Sequence, residues 1–139
     1  MNLPRVILDT NVYISGLLYG GNPLSCLELA REKKIRIFTS RAQILELSQK
    51  LYTKFDWKED DIKKLIKSIG LFTELIEPKH SITLIEKDES DNRVLEIAKE
   101  IGADFIISGD KKHILPLKKF EGTKIISAAD FIKQFTPEN

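Results

Sequence analysis

The stretch RVILDTN, Arg5–Asn11, decides how the chain is read. Val6, Ile7 and Leu8 run without a polar break and then stop on a carboxylate, Asp9, followed by Thr10 and Asn11. A short uninterrupted apolar run suits a strand buried on both faces. An aspartate at its end is a good turn residue or helix cap, so it carries little weight alone. What matters is whether other acids come to the same place.

Beyond this stretch, short apolar segments alternate with amphipathic ones. Asn11 to Leu18 reads as a short helix or turn before Gly20-Gly21. Asn22-Pro23 reads as a helix start, a cap followed by proline at the first position, leading through Leu24, Leu27 and Ala30. Ile35 to Thr39 alternates like a second strand. Ser40 caps a helix with Ile44, Leu47 and Leu51 on one side, and another helix runs from about Lys58 to Ile69. Thr73 to Glu77 reads as a strand ended by Pro78, and SITLIEK after it stays ambiguous. Asp91 to Ile101 is a helix with Gly102 as its stop. Asp104 to Ser108 and Lys124 to Ser127 are strands, and Ala128 to Phe135 is a closing helix.

Strands separated by helices imply βαβ units with right-handed crossovers. The expected fold is a three-layer α/β/α sandwich with a mostly parallel central sheet. The 139 residues suit one domain spanning 1–139. In such sheets a ligand binds beyond the carboxyl ends of the strands, where strand order reverses.

Composition narrows the function classes. The 22 basic and 21 acidic side chains leave a net charge of +1, so electrostatics alone would not hold a nucleic acid. Any such contact must be local or assisted by bound cations. The single cysteine, Cys26, allows no internal disulfide and reads as a packed thiol. No run of about 20 apolar residues is present to span a membrane. Asp9 also interrupts any leader-like segment, and a cytoplasmic protein is expected.

Asp110 stands just past the strand Asp104–Ser108, with Gly109 letting the chain turn. If that strand and the first flank the reversal point, Asp9 and Asp110 emerge into one crevice. Asp91 precedes Val94, Leu95 and Ala98 by three, four and seven residues, a spacing that sets it above the apolar stripe of its helix. Its competing reading is compensation of the helix dipole. Glu46 shares a wheel sector with Ala42, Gln49 and Lys50, away from the main apolar face, and periodicity alone reads it as solvated.

Two charges 4 Å apart repel by about 4 kcal/mol at an effective dielectric near 20, so gathered carboxylates call for cations. Oxygen-only ligands favour Mg²⁺ or Mn²⁺. Zinc is disfavoured, because His80 and His113 have no companions at ligand spacing. Carboxylate-held ions suit phosphodiester hydrolysis. Asn11 and Ser108 are candidates to orient ligands or water, or simply satisfy turns. Arg41, Lys111 and Lys112 are candidates for phosphate contact, against a solvated-surface reading. Phe55 and Trp57 offer base stacking, or else an anchor for the next helix or a dimer contact.

Laid out this way, the chain resembles the PIN-domain ribonucleases, in particular the toxin components of toxin–antitoxin systems. VILDTNVYISGLLYGG resembles that group's opening segment, and RAQILELSQKL its glutamate-bearing helix. DESDNRVLEIAKEIGADFIISGD resembles its third block. The resemblance implies a catalytic, metal-holding set of Asp9, Glu46, Asp91 and Asp110, and so selects the glutamate that periodicity passed over. It implies a PIN-like α/β/α fold, Mg²⁺ or Mn²⁺, cleavage of RNA, a homodimer and silencing by a small antitoxin protein. The run Lys111-Lys112-His113-Ile114-Leu115 is one residue longer than the group's pattern, which leaves the role of His113 open. Asp88 brackets the same helix start as Asp91 and is its alternative. A non-cleaving PIN-like binding module and a housekeeping RNA-processing nuclease are the competing functions.

Overall fold

Strand β1 (Arg5–Leu8) divides its side chains between two buried clusters: Val6 and Leu8 join one, Ile7 the other. That division follows from the twofold alternation of a strand, and it requires cover on both sides. The computed structural model describes residues 2–79, 89–112 and 114–135, the second stretch with side chains from Asn92 onward.

The described residues form one six-stranded sheet. Its other strands are β2 (Arg36–Ser40), β3 (Thr73–Ile76), β4 (Phe105–Ile107), β5 (Lys119–Phe120) and β6 (Thr123–Ile126), in the spatial order β3-β2-β1-β4-β6-β5. Every pairing is parallel except that of β5 with β6. From β1 the chain moves outward through β2 to β3, then returns to place β4 on the other side of β1. Strand order therefore reverses between β1 and β4, which pair Leu8 with Ile107 at their carboxyl ends.

The helices are α1 (Thr10–Tyr19), α2 (Gly21–Arg31), α3 (Arg41–Phe55), α4 (Glu59–Gly70), α5 (Glu89–Ile101) and α6 (Ala128–Phe135). Residues of α1, α2, α3, α4 and α6 join Val6, Leu8, Ile37 and Ile107 in the first cluster. On the opposite face Val94, Leu95, Ile97 and Ala98 of α5 pack with Ile7, Phe38 and Ile106. The sandwich has the expected three layers around a mostly parallel sheet. Cys26 is fully buried in α2, and burial pushes its thiol up to about 12, as a packed thiol requires.

Several boundaries differ from the expectation. Residues 11–18 lie within a complete helix, α1. Asn22 is not the cap of α2: the helix begins at Gly21 with Gly20 before it, and both glycines take positive φ (76° and 70°). Such angles suit glycine and turn the chain sharply enough to make a tight corner between helices. The corner is close, because a Cβ on Gly16 would lie 2.9 Å from the Leu24 nitrogen. β3 and β4 are slightly shorter than expected. Strand β5 and a 3₁₀ turn at Leu115–Leu117 are additions that periodicity did not reveal. Trp57 packs against the first cluster, which favours the anchor reading over base stacking. SITLIEK, Asp88 and both histidines lie outside the described residues.

Candidate active site

Asp9 stands at the N-cap position of α1, yet its side chain makes no capping hydrogen bond. The carboxylate instead accepts a hydrogen bond from the Ser108 hydroxyl at Oδ2, 2.9 Å away. Its backbone N–H donates to the Ile107 carbonyl, extending the β1–β4 ladder by one bond. The acid is 4% exposed. Burial raises its pKa above the ordinary carboxylate value; the Ser108 hydroxyl and the Lys50 ammonium oppose that rise, while the Glu46 and Asp110 charges add to it. An acid serving as a simple turn residue would not need this setting.

Asp110 reaches the same region from β4. Its backbone N–H donates to Ser108 Oγ at 3.0 Å, and its Oδ1 accepts from the Lys112 backbone at 2.9 Å. One buried hydroxyl thus holds the carboxylate of Asp9 and the backbone of Asp110 in fixed relation. Beyond them opens a cavity of about 680 Å³ whose lining includes Asn11, Ser108, Asp110, Lys111 and Lys112. Both lysines are exposed.

Glu46 is half-buried, not solvated, and comes from α3 on the other side of β1. Its Oε1 accepts from the fully buried Thr10 hydroxyl at 2.7 Å, and its Oε2 lies 3.4 Å from Lys50 Nζ. Lys50 also donates to Asn11 Oδ1 at 3.2 Å. The start of α3 is fixed by Ser40, whose hydroxyl accepts from the Gln43 backbone, and by buried Gln43 donating to the Leu8 carbonyl at 2.6 Å. Those bonds lock the glutamate helix to the end of β1.

Asp91 lies in the first turn of α5, and its side chain falls outside the described residues. Arg41 makes its ion pair with Glu77 at 3.9 Å, past β3 and on the side of the sheet away from β4. Thr10, Gln43 and Lys50 escaped the sequence reading. A helix spacing of four from Glu46 to Lys50 was the available sign for one of them.

The charges of Glu46 and Asp110 and the ammonium of Lys50 all bear on Asp9. Their donor atoms are all oxygen, which fits a hard divalent cation such as Mg²⁺ or Mn²⁺ better than zinc. Among the described residues no three His, Cys, Asp or Glu side chains already form a metal cage.

Residues 5–112 match the PIN domain family model, so the chain belongs to the PIN domain family. Among solved structures, it is similar to a chain of VapBC2 from Rickettsia felis, crystallised bound to a DNA fragment from their promoter. That similarity has a TM-score of 0.62 at 17% identity and covers 87% of this chain and 96% of the other. No curated protein matches the chain significantly by sequence. No described helix is long and apolar enough to cross a membrane.

Proposed function

We propose that this PIN-domain chain is a metal-dependent endoribonuclease, the toxin of a toxin–antitoxin pair, acting in the cytoplasm. The observation that carries the reading is the buried Asp9 carboxylate. It is not spent on its helix, it is oriented by Ser108, and it shares its surroundings with acids from two other elements. The fold's likeness to VapBC2 supports a protein partner that restrains the enzyme.

In this reading Asp9, Glu46, Asp91 and Asp110 hold Mg²⁺ or Mn²⁺. When bound, such an ion would lower the pKa of a water enough to supply hydroxide as nucleophile at neutral pH, and would offset charge on the phosphate. Ser108 fixes the lone-pair direction of Asp9, and Thr10 does the same for Glu46. Lys111 and Lys112 at the cavity meet the RNA backbone, supplying local positive charge in a chain of near-zero net charge, and Asn11 orients a ligand or water there. A homodimer is part of the proposal.

The test is degradation of single-stranded RNA by the purified chain with Mn²⁺, then with chelator. Cleavage that stops on chelation and returns with Mn²⁺ supports the reading. Cleavage indifferent to chelator removes the metal, and RNA left intact under both conditions removes the nuclease.

A further inference from the structure

Lys50 stands where a cation would be needed. It follows Glu46 by one helical turn on α3, so both side chains share one face. Its Nζ lies 3.4 Å from Glu46 Oε2 and donates to Asn11 Oδ1 on α1 at 3.2 Å, bridging two helices over the acids. Both side chains of the ion pair are largely buried, at 22% and 18% exposure. Among the described residues it is the basic side chain whose charge bears on Asp9.

We propose that Lys50 is a tethered counter-cation that neutralises the acid cluster before metal arrives and yields its place to the entering divalent ion, thereby lowering the site's affinity for that ion. The inference rests on the metal-site reading above. A divalent ion held by the Glu46 carboxylate would take the oxygens that the ammonium now lies against, and that ammonium opposes its approach. The lysine is able to move aside, because its four-carbon stem is flexible and its ammonium is not sealed from water. The cluster therefore exchanges a resident single charge for a double one. Metal binding has to overcome both the lost ion pair and the repulsion that remains while the ammonium stays nearby.

Calorimetric titration of the metal-stripped full chain with MnCl₂ tests this, using wild type, Lys50→Met, Lys50→Arg and Lys54→Met. Lys54 is exposed one turn further along α3 and serves as the control for net charge. Lys50→Met is expected to bind Mn²⁺ about fivefold more tightly than wild type. Lys50→Arg and Lys54→Met are expected to stay within about twofold of wild type, since each keeps a cation at position 50. Circular dichroism checks the fold, with Lys50→Gln replacing Lys50→Met if the latter unfolds. Wild-type binding with no gain in Lys50→Met overturns the role of Lys50 and leaves the metal site standing. Absence of Mn²⁺ binding in every variant overturns the metal site and this inference together.

Discussion

The Ser108 hydroxyl reaches across 99 residues of chain to donate to Asp9 Oδ2 at 2.9 Å, joining the carboxyl ends of β1 and β4. It is fully buried and also accepts from the Asp110 backbone. Removing it releases one acid and leaves the N–H of the other without that partner. Ser108→Ala should lower Mn²⁺ affinity or RNA cleavage by roughly 10- to 100-fold, with a loss of about 1–2 kcal/mol in urea unfolding. Unchanged activity and stability together would show that the hydroxyl does not orient the site.

Asp9 trades stability for its position. Its native pKa is raised from 3.8, chiefly by burial, so the folded protein holds this proton more tightly than the unfolded chain does. In metal-free protein this contribution favours folding most at low pH and declines as pH rises through the raised native value. Asp9→Asn should abolish cleavage, remove that decline, and raise the metal-free melting temperature near neutral pH by about 3 °C. Thermal melts from pH 4 to 8 in chelator read both effects.

Thr10 makes a parallel case on the α3 side. It is fully buried and donates to Glu46 at 2.7 Å. Thr10→Val keeps the volume and deletes the donor. Weaker Mn²⁺ binding is expected, with a stability cost of about 1 kcal/mol. Mn²⁺ affinity equal to wild type would mean that Glu46 needs no such guide.

Lys111 and Lys112 test the RNA interface separately from chemistry. Both are exposed at the cavity mouth. Replacing the pair with alanine in an Asp9→Asn background should weaken binding of a single-stranded RNA and flatten its logarithmic salt dependence by about 1–1.5. An unchanged salt slope in a fluorescence titration would place the phosphate contacts elsewhere.

The α1–α2 corner yields a contrast in stability alone. A Cβ on Gly16 meets the Leu24 and Pro23 backbone at 2.9 and 3.0 Å, whereas one on Gly70 meets nothing within 4 Å. Gly16→Ala should cost about 1–3 kcal/mol. Gly70→Ala, at the end of α4, should be neutral or stabilise by up to about 1 kcal/mol. Urea midpoints of the two variants decide the matter.

The long elements and two of the acids could be read from residues because local pattern and tertiary demand agree there. Val6–Leu8 and Phe105–Ile107 are apolar on every side since the sheet is covered twice, and an acid directly after such a strand stands out. Glu46 did not stand out, because a helical wheel weighs each position against the dominant stripe of Leu47 and Leu51. Glu46 lies on a flank of α3 that turns toward α1, where a long-range contact with Thr10 draws it to the end of β1. The resemblance, not periodicity, is what picks out Glu46. Asn22-Pro23 misled for a different reason: Gly20 and Gly21 accept backbone angles that move the helix start upstream. Strand β5 has two residues, too few for any period to register.

Cys26 offers a consequence for watching this molecule open. Its thiol has no exposed surface and ionises only near 12, so an alkylating reagent at neutral pH finds no thiolate in the folded state. Modification must wait until α2 lifts away from α1 and the sheet, and the labelling rate then counts those excursions. A partner protein or divalent ion that tightens the fold would slow that rate, and one native side chain would report it without any engineered probe.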